Sequence, residues 1–119
     1  MKIAVTSTGK ALDSSIDPRF GRAAYFILFD QNSNTFEVID NSPNLNAVQG
    51  AGIQAAEKVV KLGAKGLISG HCGPKAFRVL ATAGIAVYNT EAGTVAEALE
   101  ELQAGNLTQA ASADVAGHW

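Results

Sequence analysis

The residues of this chain that are best suited to hold a ligand lie in a short turn, residues 70–75, with the sequence GHCGPK. This turn follows a buried, strand-like segment and leads into a helix whose first turn accommodates Pro74. Backbone N–H groups at a helix N-terminus and the positive end of the helix dipole favour an anion there. The same field favours the thiolate of Cys72, and His71 adds an imidazole, so both are candidate metal ligands. A simpler interpretation is a tight turn in which Cys72 is a small buried apolar group.

A second candidate loop, residues 17–22 with the sequence DPRFGR, contains two of the three arginines of the chain. Arginine is always charged and presents several donors in one plane, so Arg19 and Arg22 are predicted to clamp an anionic ligand. The simpler interpretation is a turn capped by Asp17, with Arg19 paired to that carboxylate and Arg22 on a solvated strand edge. The two loops together give as candidates the cofactor-binding residues Arg19, Phe20, Arg22, Gly70, Gly73 and Lys75 and the metal ligands His71 and Cys72.

The hydrophobic pattern predicts five strands and three helices around these loops. Residues 25–29 are consecutive apolar residues, as in a strand covered on both faces, and the polar run 31–34 predicts a hairpin to the next strand. Helical spacing then predicts one buried stripe made of Ile53, Ala55, Ala56, Val59 and Val60. A capping-box pattern at 94–97 opens the last helix. The predicted strands are 2–6, 25–29, 35–39, 66–69 and 85–88, and the predicted helices end at 63, at 83 and near 105.

Strands that alternate with helices after an initial hairpin are typical of an α/β fold with a mixed sheet and helices on both faces. In such sheets ligands bind beyond the carboxyl ends of the parallel strands. That rule selects residues 7–24, 70–73 and 89–93. If the first and fourth strands are neighbours, the two candidate loops meet at one edge of the sheet.

Length and composition narrow the class of protein. The chain has 119 residues, of which 47% are hydrophobic and 17% charged, so we expect one domain over residues 1–119, with 106–119 as a C-terminal tail. One cysteine excludes an internal disulfide and a four-cysteine metal site, and it predicts a reducing, cytoplasmic setting. No apolar run approaches the roughly 18 residues of a membrane span, so no membrane partner is expected.

The charges of the chain are segregated, although the net charge is only -2. Residues 58–90 contain five basic residues and no acid, whereas residues 91–119 contain five acids and no Lys or Arg. Nucleic acid requires a broad positive face, so this pattern favours a small anionic ligand over nucleic acid. The simpler alternative is that the lysines only solvate helix surfaces.

Several of these segments together resemble the dinitrogenase iron-molybdenum cofactor biosynthesis family, over nearly the whole chain. They are the loop 17–21, GAG at 50–52, GxxGPKA at 70–76, GIAVY at 84–88 and LxxGxL at 102–107. The family includes NifX-type proteins and the C-terminal domain of NifB. The ending GHW at 117–119 resembles its small stand-alone members, some of which are similar to the orange protein, which holds a molybdenum–copper sulfide cluster without covalent attachment.

The resemblance implies a ribonuclease H-like fold with the sheet order 3-2-1-4-5 and an antiparallel second strand. It also implies a non-catalytic, nitrogenase accessory-like role in cofactor biosynthesis. The chain would bind or carry an anionic metal–sulfur cluster of molybdenum with copper or iron, or its precursor. Cluster donor or acceptor proteins would then be its partners. Positions 71 and 72 vary within the pattern, so the predicted ligands His71 and Cys72 are features of a subgroup.

Two alternative functions belong to other classes. The spacing from His71 and Cys72 to Arg78 matches the His-Cys-x5-Arg signature of cysteine phosphatases. In that alternative Asp17 would act as the general acid. Against this, Pro74 deletes an N–H that a phosphate cradle needs, and no glycine precedes Arg78. The other alternative is a regulatory interaction domain, because relatives are fused to other modules.

Overall fold

Five strands and three helices form the part of the chain that the computed structural model describes, residues 1–41, 50–90 and 93–111. Their order along the chain matches the predicted alternation. They are β1 (Lys2–Ser7), β2 (Tyr25–Asp30), β3 (Thr35–Asp40), α1 (Ala51–Lys61), β4 (Gly66–Ser69), α2 (Pro74–Thr82), β5 (Ala86–Asn89) and α3 (Val95–Gln103).

The strands form one mixed sheet in the order β3-β2-β1-β4-β5, so the predicted order is confirmed. β2 is antiparallel to both β1 and β3, and β4 is parallel to both β1 and β5. The hairpin turn closes where the Asn34 N–H donates to the Asp30 carbonyl at 2.8 Å, with Asn34 at a φ of 58°. Asparagine tolerates this left-handed conformation, which explains why the polar run 31–34 makes the turn.

The helices pack on both faces of the sheet, as predicted, because successive strand residues point to opposite sides. Ala4 of β1 packs with α1 and α2, whereas its neighbours Ile3 and Val5 pack with α3. All three are fully buried. The sheet therefore separates two hydrophobic cores, and α3 covers the second together with Leu12, Ile16 and Leu107 from the connecting segments.

The predicted apolar stripe of α1 is correct except at its edges. Ala55, Ala56 and Val59 are buried against the sheet, but Ile53 is only partly buried and Val60 is 38% exposed. Each residue turns a helix by about 100°, so Val60 lies one step around from Val59 and leaves the buried face. α1 thus presents an apolar side chain to its outer surface.

The segment after α3, predicted as a tail, contacts the sheet over its described part. The Ala110 N–H donates to the Val87 carbonyl at 2.7 Å, and Gln109 pairs with Tyr88. Residues 112–119, with the GHW ending, lie outside the described residues, as do 42–49 and 91–92. None of the helices in the described ranges has the length and apolarity to cross a membrane.

Candidate functional site

The two candidate loops touch each other at the carboxyl edge of β1 and β4. The Phe20 N–H donates to the His71 carbonyl at 3.2 Å, and Arg19 pairs with His71 as in a parallel ladder. Gly70 lies against the backbone of Pro18, so closely that a Cβ on Gly70 would stand 2.5 Å from the Pro18 Cα. The neighbouring positions of β1 and β4 therefore bring residues 17–22 and 70–75 together, as the sheet order requires.

The N-termini of two helices border the same loops. α2 starts directly after the 70–73 turn, and Gly21 lies so close to the start of α1 that a Cβ on it would stand 2.7 Å from the Gly52 nitrogen. The N-cap residues of these helices are Gly50 and Gly73, which provide no side-chain cap, and neither helix has an acid in its first turn. Among the residues that the structure describes, no carboxylate in the first turn of either helix therefore compensates the positive end of its dipole at this edge.

The N-terminus of the third helix, unlike those of α1 and α2, has a complete side-chain cap. In α3 the Thr94 hydroxyl accepts the Glu97 N–H at 3.2 Å, and the Glu97 carboxylate accepts the Thr94 N–H at 3.0 Å. This is the predicted capping box, now confirmed. A carboxylate thus compensates the positive end of α3, whereas the described residues provide none in the first turn of α1 or α2.

Asp17 stabilises the first loop through hydrogen bonds to its buried carboxylate and to its carbonyl group. Its buried carboxylate accepts the N–H of Arg19 at 3.1 Å and that of Ala24 at 3.4 Å, and its carbonyl accepts the Thr6 hydroxyl at 2.8 Å. The Arg19 Nε lies 3.8 Å from the Asp17 carboxylate, and the Arg19 side chain is 48% exposed. The capped turn of the simpler interpretation is therefore present. A single long ion pair leaves the donors of a half-exposed guanidinium available to a ligand.

Asn41 is a site residue that sequence reasoning missed. Its side chain is fully buried, and its Nδ2 donates to the carbonyls of Ala23 at 2.8 Å and Gly21 at 3.4 Å. Its Oδ1 has no hydrogen-bond partner among the described residues. Asn41 therefore clamps the end of the loop that carries Arg19 and Arg22. In the sequence it is one of several polar residues after β3, so only the tertiary contact distinguishes it.

Two of the predicted site side chains point into the protein. Phe20 is 1% exposed and packs against Phe26, with 5.7 Å between the ring centroids. Cys72 is also 1% exposed, and its Sγ lies 3.8 Å from the Gly73 carbonyl oxygen. Each anchors its loop to the core beneath α1 and α2. The simpler interpretation of Cys72, a small buried apolar group, describes its surroundings in this structure.

The other predicted side chains are more accessible. Arg19 and Lys75 are exposed, and Arg22 and His71 are half-buried. Among residues 1–41, 50–90 and 93–111, no group of three or more His, Cys, Asp or Glu side chains is arranged to hold a metal ion. The edge therefore offers positive charge and N–H donors more than metal ligands.

The geometry does not favour the phosphatase alternative. A nucleophilic thiol must reach its substrate, yet the Cys72 side chain is buried. Pro74 occupies the first turn of α2, where it removes an N–H donor. Arg78 lies one turn further along and lines a groove between α1 and α2. The buried thiol and the missing N–H donor thus both count against a phosphate cradle at this turn.

Comparison with known proteins gives consistent matches. The model of the dinitrogenase iron-molybdenum cofactor family matches residues 1–105. The apo form of the orange protein from Desulfovibrio gigas is similar in structure, with a TM-score of 0.93, 41% identity and 96% of both chains covered. A Thermotoga protein solved by NMR and described as a candidate NifB protein has a TM-score of 0.80 and 37% identity, with 91% of both chains covered. An uncharacterized protein of Methanocaldococcus jannaschii is 25% identical over 111 residues, which are 90% of this chain and 93% of that protein.

Proposed function

The chain belongs to the dinitrogenase iron-molybdenum cofactor family, and we propose that it binds an anionic metal–sulfur cluster, or a precursor of one, as a non-catalytic carrier. The cluster contains molybdenum with iron or copper. The observation that carries this proposal is the contact between residues 17–22 and 70–75, at an edge where two helices begin without acidic caps. We also propose, as predicted from the sequence, that the fold is ribonuclease H-like, that residues 1–119 form one domain and that the protein is cytoplasmic.

Charge and hydrogen bonds hold the cluster in this proposal. Sulfide clusters of molybdenum are anionic, so the guanidinium groups of Arg19 and Arg22 and the ammonium group of Lys75 compensate their charge. Backbone N–H groups in the first turns of α1 and α2, other than at Pro74, add directed donors. The lack of a metal-binding side-chain cluster among the described residues supports this mode over coordination.

Direct coordination has a smaller role. The half-buried imidazole of His71 is the accessible candidate ligand for a copper or iron at the surface of the cluster. Cys72 can reach a metal only if the turn 70–75 opens. We therefore expect Cys72 to take part in metal exchange and not in the stable complex with the cluster. A cargo held by charge dissociates without breaking several metal–ligand bonds. Such release is what a carrier between cluster donor and acceptor proteins needs.

The experiment that tests this mode compares Arg19→Ala with Cys72→Ala. Each protein is incubated without oxygen with tetrathiomolybdate and a copper salt and then desalted, and the retained molybdenum and the charge-transfer bands are measured. Loss of a charged hydrogen-bond partner costs about 1.5–3 kcal/mol, so Arg19→Ala should bind about tenfold more weakly or worse. Cys72→Ala should bind nearly as the parent does, and salt should weaken binding in the parent.

Lys65→Ala is the matched control, because it removes an exposed positive charge outside both loops. It should retain the parental amount of molybdenum. If coordination dominates instead, Cys72→Ala or His71→Ala loses the cluster or shifts its bands, and salt has little effect. Unchanged uptake in both Arg19→Ala and Cys72→Ala, at low and at high salt, would show that the site lies elsewhere.

A further inference from the structure

A groove runs between the outer surfaces of α1 and α2, on the side of these helices that faces away from the sheet. Its volume is about 550 Å³, and its lining residues are Glu57, Val60, Lys61, Arg78, Val79, Thr82 and Ala83. These residues belong to the C-terminal halves of the two helices, whereas the N-terminal ends border the candidate site. The groove is therefore separate from the loops at residues 17–22 and 70–75.

The floor of the groove is apolar and open. Val60 is 38% exposed, and Val79 and Ala83 line the opposite wall. Valine at an exposed helix position brings no gain in helix propensity over lysine or glutamate, so its presence there is not explained by helix formation. Residues spaced by three or four on each helix form two ridges, and the channel between such ridges accepts a third helix.

The rim of the groove is positive. Lys61 and Arg78 stand beside the apolar floor against the single acid Glu57. Apart from Glu57, the lining residues lie in the basic part of the sequence, because residues 58–90 contain five Lys or Arg and no acid. Two of these basic residues, Lys61 and Arg78, therefore flank the apolar channel, which favours a partner with carboxylates beside an apolar ridge.

The acidic helix α3 of a second copy fits this groove poorly. The acidic helix α3 has exposed carboxylates at Glu97, Glu100 and Glu101, but its apolar residues Val95, Ala98 and Leu99 are buried against its own sheet. It therefore has charge without an apolar side chain to fill the channel. Pairing α3 of one copy with the groove of the next is also a head-to-tail contact, which closes into a ring or extends into an open chain of molecules.

We propose that this groove binds an acidic amphipathic helix of another protein. One or two apolar side chains of that helix lie between Val60 and Val79, and its carboxylates lie beside Lys61 and Arg78. The lining residues span only five or six positions on each helix, about 6–8 Å along the helix axis, so the contact is small and transient. Because the groove is separate from the two loops, this inference does not depend on the cargo proposed above.

The test uses the full chain, labelled with ¹⁵N, and a synthetic helical peptide with leucines on one face and glutamates elsewhere. Amide shifts should concentrate at residues 57–61 and 78–83, and binding should weaken with salt. Lys61→Glu and Arg78→Glu should each weaken binding about tenfold, since a carboxylate then faces a carboxylate. Lys65→Glu makes the same change of charge outside the groove and should alter binding by no more than about twofold.

Two control peptides separate docking in the groove from nonspecific attraction between charges. A peptide with serines in place of the leucines, or lysines in place of the glutamates, should not bind. The variants change exposed residues, so their unfolding curves should match that of the parent. The proposal is overturned if Lys65→Glu weakens binding as much as Arg78→Glu, if the serine peptide binds equally, or if no resonance shifts. A concentration-dependent dimer in sedimentation that Val60→Asp dissociates would assign the groove to a second copy and would also overturn it.

Discussion

Replacing Gly70 with alanine tests whether the contact between the two loops organises this edge of the sheet. The new Cβ would stand 2.5 Å from the Cα and 2.8 Å from the carbonyl oxygen of Pro18. Both are backbone atoms, so no side-chain rotation relieves the clash. Ordinary contacts require about 3.5 Å or more, so residues 17–22 must move by about 1 Å relative to the turn at 70–75.

The size of the effect follows from what this movement breaks. The hydrogen bond from the Phe20 N–H to the His71 carbonyl is 3.2 Å long and crosses between the two loops. Its loss costs about 0.5–1.5 kcal/mol, and overpacking costs about 1–3 kcal/mol. We therefore expect Gly70→Ala to lower the free energy of unfolding by about 2–4 kcal/mol. For a chain of this length that corresponds to a fall in Tm of about 8–16 °C.

Gly63→Ala is the control for this prediction. Gly63 has a left-handed φ of 80°, ends α1 and has nothing within 4 Å of the site of a Cβ, so its replacement costs backbone strain of about 1–2 kcal/mol without touching the loops. Urea unfolding and molybdenum retention are measured for both variants at a temperature where each is folded. Only Gly70→Ala should lose molybdenum. A Gly70→Ala protein as stable as the parent, or one with full retention, would refute the reasoning.

Three other substitutions give distinct outcomes. Asn41→Asp replaces the buried donor to the Ala23 carbonyl with a carboxylate, so urea unfolding should show a loss of about 3 kcal/mol at neutral pH. Burial raises the pKa of that new carboxyl, and the loss should shrink as the pH falls and the carboxyl gains a proton; an equal loss at pH 5 and pH 8 would contradict this. Thr94→Ala removes the cap of α3 and should cost about 1 kcal/mol in thermal unfolding, while molybdenum uptake stays unchanged because Thr94 pairs with Ser15, outside both candidate loops, and α3 packs on the other face of the sheet; reduced uptake would contradict this. Cys72→Ser and the parent should show the same negligible turnover of an aryl phosphate, and parental turnover that the substitution abolishes would restore the phosphatase alternative.

The sequence predicts the elements of this fold well, because their signals are local. The apolar run 25–29, the turn at 31–34 and the glycines after α1 and α2 identify where strands and helices begin and end within one or two residues. The order of the strands has no local signal. It comes from the resemblance to a family, and the parallel pairing of β1 with β4 confirms it. That pairing brings two loops together that are some fifty residues apart in the chain.

Which side chains face the ligand edge is harder to predict. Strands and helices have a periodicity that assigns residues to a face, but the loops at 17–22 and 70–75 have none. Phe20 and Cys72 are therefore candidates by their chemistry alone, and the structure shows that both point into the core. Asn41 carries no chemical signal of its own. Its importance comes from Gly21 and Ala23, which approach it only in the folded chain.

The N-cap residues of the three helices are evidence for an anion site at this edge that does not depend on the side chains of the two loops. An aspartate at an N-cap would stabilise α1 or α2, but its carboxylate would occupy and repel the position of an anionic ligand. Glycine at the N-cap costs only a few tenths of a kcal/mol relative to such a residue, and it leaves that space open. Gly50 and Gly73 cap the two helices that border the loops, whereas the full capping box lies on α3, across the sheet. Because the thiol of Cys72 is buried beneath the same edge, we expect electrostatic attraction to outweigh coordination there, and under the proposed carrier role the cargo would be released when a partner offers metal ligands.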